Sequence, residues 1–166
     1  MHPFEQHIRN VPDFPKQGIM FKDITPLLQD HFEDVVKAMG EGINWNEIDT
    51  IVGVESRGFI LGAAMAIHFK KGFIAVRKKG KLPPPVVSEN YTLEYGTDTL
   101  EMIVNDKPSR VVIVDDVLAT GGTLKAVMNL CQKNKYDVKA LALLINLTFL
   151  NKFKEEGLPV HSVLNY

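Results

Sequence analysis

The chain is poor in several things, and each shortage excludes something. It holds one cysteine, so no disulfide framework can form within it, and the expected compartment is a reducing, cytoplasmic one. Its net charge is only −1. Duplex-binding surfaces carry a basic surplus, so nucleic acid is not an expected partner. The longest apolar run, Phe59 to Ile67, is far short of a membrane span, so no membrane partner is expected either. The opening Met1-His2-Pro3-Phe4-Glu5 lacks the basic and apolar regions of a secretory signal. Repeats and low-complexity tracts are missing, and so is any Gly-x-Gly-x-x-Gly. Gly53 and Gly58 have Walker A spacing, but Phe59 stands where lysine is required. His2, His7, His31, His68 and His161 lie far apart and form no metal-ligand spacing. Ser56 has no Gly-x-Ser-x-Gly context for a nucleophile.

What is present is 166 residues with 45% hydrophobic content, enough to bury the core of one domain over 1–166. The first thirty residues read as an irregular arm broken by Pro12, Pro15 and Gly18. Thr25-Pro26 reads as an N-cap and first helical turn, with apolar residues at helical spacing up to Met39 and a stop at Gly40. Strands are expected at Thr50–Val54, Phe73–Val76, Val111–Val114 and Val138–Ile145, with a last one near Val160–Leu164. Helices are expected at Phe59–Phe69, apolar almost all round and therefore buried, and at Leu124–Asn134 with Cys131 on its apolar stripe. Gly58 and Gly62 would let the first of these approach the sheet. Lys78–Asn90 reads as a basic, proline-rich loop, and Tyr91–Tyr95 with Thr99–Ile103 as a hairpin around Gly96. Alternating buried strands and helices imply an α/β fold, a mostly parallel sheet flanked by helices. Ligands in such folds bind beyond the carboxyl ends of the strands.

The strongest chemical signal runs from Val111 to Thr123. It comprises an apolar strand, Asp115 and Asp116 at its end, then Ala119, Thr120, Gly121, Gly122 and Thr123 before a helix. Ala119–Thr123 should form a nest of amides at a helix N-terminus, suited to a phosphate dianion. Glycine is needed there because a side chain would block the approach. Two acids beside a phosphate site make poor phosphate ligands. They suit sugar hydroxyls and a sugar that develops positive charge.

This segment resembles the phosphoribosyl pyrophosphate (PRPP) motif of the type I phosphoribosyltransferases. Pro12–Pro15, Gly18–Pro26, Ser56–Phe59, Arg77–Pro83 and Tyr91–Gly96 narrow the resemblance, in the same order, to the adenine phosphoribosyltransferases. It covers nearly the whole chain. The resemblance implies the type I fold with a base-binding hood at 1–26 and a lid hairpin at 83–101. Glu55–Gly58 is similar to the pyrophosphate loop, with Arg57 as charge partner, Ser56 as a further contact and a non-proline cis peptide near Glu55-Ser56. Arg77 and Lys81 would also meet pyrophosphate. Arginine's fork suits phosphate oxygens. Met20 would offer backbone groups to adenine, with Phe21 and Phe59 packing near the base. Lys22 departs from a position that is often arginine, and Pro84-Pro85 from a glycine–proline pair.

Glu94, on the lid, would accept the N9 proton of adenine, and Tyr95 would reach the phosphates. A closed lid keeps water from an activated sugar. PRPP would arrive as its Mg2+ complex, with no direct protein ligand to the metal and Asp115 and Asp116 reaching it only through water. The products would be AMP and pyrophosphate, and the assembly a homodimer with Arg77–Lys81 near the contact. The competing readings are a transferase for hypoxanthine, guanine or xanthine, and a non-catalytic PRPP-sensing regulator. The Lys81-Leu82-Pro83 and Leu93-Glu94-Tyr95-Gly96 segments argue against the first. The lack of a basic or helix-turn-helix arm argues against the second.

Overall fold

The computed structural model describes residues 2–93 and 96–166. In chain order the elements are β1 (Arg9–Pro12), β2 (Met20–Asp23), α1 (Thr25–Met39), β3 (Thr50–Val54), α2 (Arg57–Phe69), β4 (Gly72–Lys78), β5 (Val86–Leu93), β6 (Gly96–Ile103), β7 (Arg110–Leu118), α3 (Gly122–Lys133), β8 (Asp137–Asn146) and β9 (Val160–Asn165). Short 3-10 turns occupy Pro3–His7 and Trp45–Glu47. Seven strands form the main sheet in the order β5-β6-β4-β3-β7-β8-β9. The β4-β3-β7-β8-β9 stretch is parallel throughout, and β5 and β6 join antiparallel at one edge. This is the mostly parallel, helix-flanked sheet that the alternation of elements implied.

The two faces of the sheet bury different residues because side chains alternate along each strand. Val112 and Val114 of β7 pack with Leu27, Val35 and Met39 of α1 and with Leu61 and Met65 of α2. Val111 and Ile113 pack on the other face with Leu124, Val127, Leu130 and Cys131 of α3. A strand covered on both faces has no polar alternation, which is why β7 reads as a continuous apolar run.

Five details differ from the sequence reading. The arm is not irregular: β1 and β2 form an antiparallel ladder from Arg9↔Asp23 to Pro12↔Met20. The partners are separated by the cis Phe14-Pro15 turn, so no local pattern announces them. Thr25 is not the N-cap of α1. Ile24 holds that place without a side-chain bond, and the Asp23 carboxylate accepts the Thr25 amide at 2.9 Å. The outer side of α2 is not buried, since Ile60, Ala63 and Ile67 are exposed, Ile67 to 83%. The loop after β4 is shorter than expected, because Val86–Asn90 already belong to β5. Finally, His7 and His31, distant in sequence, meet with tilted rings at 4.2 Å between centroids, and α1 is kinked at His31. No group of three or more metal-ligating side chains occurs among the described residues, nor is any helix among them long and apolar enough to cross a membrane.

Candidate active site

Strand order creates the site. β3 lies between β4 and β7, and all three run parallel, with Val54 level with Val76 and Gly53 level with Val114. Their carboxyl ends therefore open side by side, bringing together three segments far apart in sequence. These are the turn after Val54, the basic turn after Lys78 and the acids and loop of β7.

The middle segment begins with a cis Glu55-Ser56 peptide, where the resemblance placed one. α2 starts at once, with exposed Ser56 at its N-cap. Gly58 in its first turn is what lets it start there. A Cβ at Gly58 would lie 2.9 Å from the Val114 carbonyl and 3.1 Å from Asp115 Oδ1. The amino end of α2 thus rests directly on the acidic part of β7.

β7 does not end at the acids. It continues through Val117 and Leu118, which pair with Ile145 and Asn146 of β8. β3 has already stopped pairing at Gly53. Asp115 and Asp116 therefore sit inside a strand that outlasts its neighbour, only 8% and 6% exposed. Asp115 Oδ1 accepts the Asp116 amide at 2.9 Å. Arg57 Nε lies 2.6 Å from Asp116 Oδ2. Its N–H does not aim along that line, and Asp116 Oδ2 makes no hydrogen bond among the described residues. Burial, reinforced by the Asp116 charge, holds Asp115 well above the usual carboxylate range. Burial also raises Asp116, against the opposing pull of Arg57. Such a pair, buried and incompletely bonded, is poised for a cationic or hydroxyl-bearing ligand.

Beyond β7, Ala119 and Thr120 lead to Gly121, which is the N-cap of α3 with φ +92°. A Cβ there would strike the Phe153 ring at 2.6 Å, so glycine is required twice over. No side chain caps the helix. The first amides of α3, at Gly122 and Thr123, are left to an anion from outside. A Cβ on Gly122 would lie 3.4 Å from the Thr92 carbonyl of β5, so the hairpin already reaches this loop.

The basic segment is organised by Glu55, which reads in the sequence only as part of a turn. Its Oε2 accepts the Lys78 amide at 2.9 Å and Arg77 Nε at 3.4 Å. Burial pulls the Glu55 carboxyl up, but these bonds and the nearby cations outweigh it and lower it overall. Arg77 Nη1 also donates to the Lys81 carbonyl at 3.2 Å, and the guanidinium stands 5.8 Å from the Phe59 ring. The position of Glu55 after β3 and of Arg77 near the end of β4 could have suggested the pair, once those strands were known to be neighbours.

The hood meets the site through Phe21. Its ring lies 4.8 Å from the Arg57 guanidinium and 5.1 Å from Phe14. Met20 is half exposed at the start of β2. Phe59 packs edge-on against Phe73, on the Arg77 side of α2. Lys22 is engaged elsewhere: Nζ donates to Asn10 Oδ1 at 2.8 Å and sits 4.0 Å over the Tyr166 ring. Glu94 and Tyr95 lie outside the described residues.

Known proteins share this fold. Residues 16–154 match the phosphoribosyl transferase domain. The adenine phosphoribosyltransferase of Hydrogenovibrio crunogenus is 48% identical over 99% of this chain and 97% of its own length. The crystal structure of adenine phosphoribosyltransferase from Rhodothermus marinus superposes with a TM-score of 0.89 at 46% identity, covering 98% of this chain and 96% of that one. The Saccharomyces cerevisiae enzyme, complexed with an imino-altritol bisphosphate and adenine, superposes with a TM-score of 0.86 at 34% identity over 96% of each chain.

Proposed function

The chain belongs to the adenine phosphoribosyltransferase family, and on that premise we propose how its residues carry the 5-phosphoribosyl group from PRPP to adenine, giving AMP and pyrophosphate. One observation carries the assignment of roles. A buried acid pair lies near the carboxyl end of a central parallel strand that leads, through Ala119 and Thr120, to an uncapped, glycine-led helix N-terminus.

The amides of Ala119–Thr123 and the hydroxyls of Thr120 and Thr123 hold the 5′-phosphate. Arg57, Arg77 and Lys81, with Ser56, take the charge of the departing pyrophosphate. As that group leaves, the ribose gains cationic character at C1, as in glycosyl transfer generally. Asp115 and Asp116 stabilise that charge. Their unliganded tendency to keep a proton gives way when hydroxyl donors and positive charge arrive. Adenine rests in the hood of residues 1–26, its edge on the Met20 backbone with Phe21 and Phe59 packed nearby. Lys22 supports the hood through Asn10 and Tyr166. The lid, residues 83–101, brings Glu94 to accept the N9 proton and Tyr95 to the phosphates. Positioning and electrostatics supply most of the acceleration.

Mg2+ fits this site. The Asp115 and Asp116 carboxylates offer hard donors that a hydrated ion would meet through its waters, with Asp116 Oδ2 shared with Arg57 at 2.6 Å. Bound with PRPP, the metal would supply charge neutralisation at the pyrophosphate. We further propose a cytoplasmic homodimer. The exposed apolar stripe Ile60, Ala63 and Ile67 of α2 supports a covered face, and the free thiol of Cys131 suits a reducing compartment. Asp115→Ala and Asp116→Ala test the central roles. Both should fold and lose about 100-fold or more in turnover. Folded variants with full turnover would overturn the assignment.

A further inference from the structure

We propose that Glu101 is a positioning residue that holds the pyrophosphate-binding turn in place. It lies in β6, level with Arg77 of β4 and Ser88 of β5. It is only 6% exposed, and a carboxylate so enclosed needs bonded partners. Its Oε2 accepts the Gly80 amide at 2.9 Å and its Oε1 the Ser88 hydroxyl at 3.4 Å. Gly80 is the centre of the turn that presents Lys79 and Lys81. Three further bonds tie the same turn: the Lys79 amide to the Thr99 carbonyl at 3.1 Å, the Lys81 amide to the Lys78 carbonyl at 3.2 Å, and Arg77 Nη1 to the Lys81 carbonyl at 3.2 Å. The Gly80 bond ends on a carboxylate, as does the Lys78 amide bond to Glu55 Oε2 at the start of the turn, and charge-assisted bonds are roughly twice as strong as neutral ones. An anion among Arg77, Lys78, Lys79 and Lys81 would repel a pyrophosphate if it faced one. Buried and bonded to backbone, it instead fixes where those cations stand, and through Ser88 it joins their turn to the root of the lid.

This inference rests on the reading of Arg77 and Lys81 as pyrophosphate ligands. The test is steady-state rates over PRPP and over adenine, with Tm, for Glu101→Ala, Glu101→Gln, Lys81→Ala and the double variant Glu101→Ala/Lys81→Ala. Glu101→Ala should raise KM for PRPP about tenfold while kcat and KM for adenine stay within about twofold. Glu101→Gln keeps a neutral acceptor for the Gly80 amide and should restore part of the loss. The double variant should fall well short of the product of the two single losses, because Lys81 is one of the cations that the turn positions. If Glu101→Ala does not fold, Glu101→Asp, too short to reach Gly80, replaces it with the same expectation. An unchanged KM for PRPP in that variant, while Lys81→Ala raises it, overturns the inference alone. So do losses in all constants that merely follow Tm. An unchanged KM in Lys81→Ala removes the ligand reading and the inference with it.

Discussion

Replacing Gly58 by alanine should damage stability and turnover together, through one contact. The added methyl would stand 2.9 Å from the Val114 carbonyl and 3.1 Å from Asp115 Oδ1. Ordinary contact begins at 3.4 Å, so the carbonyl is about half an ångström too close. It cannot yield, because Val114 is paired on both sides, to Gly53 and to Ala142. The amino end of α2 must lift instead, taking Ser56 and Arg57 with it. Overpacking of this kind costs about 1–3 kcal/mol. For a chain of this size that lowers Tm by roughly 2–4 °C per kcal/mol. The chemistry should suffer more. A displacement of about 1 Å near reacting groups costs on the order of 100-fold in rate, so half of that predicts a loss of roughly tenfold in kcat. Thermal unfolding and PRPP-saturated rates measure both. A variant with unchanged Tm and unchanged kcat would refute the claim that α2 rests on the acid pair.

Three further outcomes are expected. Asp115→Asn keeps the acceptor for the Asp116 amide but removes a carboxyl that burial makes costly to ionise. The folded pKa of Asp115 is raised above its ordinary 3.8. The stability it contributes is therefore full below that value and lost as pH rises through the raised one. The variant should gain about 2–4 °C in Tm at neutral pH, the equivalent of roughly 1 kcal/mol. Its Tm should fall less than the parent's between acid and neutral pH, as scanning calorimetry across that range would show. Cys131 is fully buried, and desolvation pushes its thiol up to about 12. Iodoacetamide at mildly alkaline pH should leave it unmodified in the folded chain and label it in denaturant, read by intact mass. Glu94→Gln should lower kcat by about 100-fold or more while leaving Tm unchanged, if that carboxylate takes the N9 proton. Pre-steady-state rates with adenine measure it.

Much of the fold and of the site is legible in the amino-acid sequence, for identifiable reasons. Val111–Val114 is apolar without interruption because both faces of β7 are covered, so its central place in the sheet can be read directly. Gly121-Gly122-Thr123 is legible because few backbones other than a phosphate nest need two glycines at a helix start. The cis Glu55-Ser56 bond follows from the resemblance alone, since nothing in those two residues requires it. The β1–β2 ladder is hidden because its strands are short, contain Pro12 and pair across a proline turn. The extension of β7 is hidden because Asp115 and Asp116 look like a strand's end. The pairing of Val117 and Leu118 with Ile145 and Asn146 shows otherwise. Ile60 and Ile67 are exposed although an all-apolar helix reads as buried, because the sequence does not say which side of α2 meets the sheet. Glu55 escapes notice because its role exists only once β3 and β4 are neighbours.

The most direct test of the account is pyrophosphate release from PRPP with Mg2+, measured separately with adenine, hypoxanthine, guanine, xanthine, uracil and orotate. The account predicts release with adenine alone, matched by AMP. Release with a different base would contradict the hood and lid assignments. PRPP binding without release for any base would contradict the enzyme itself.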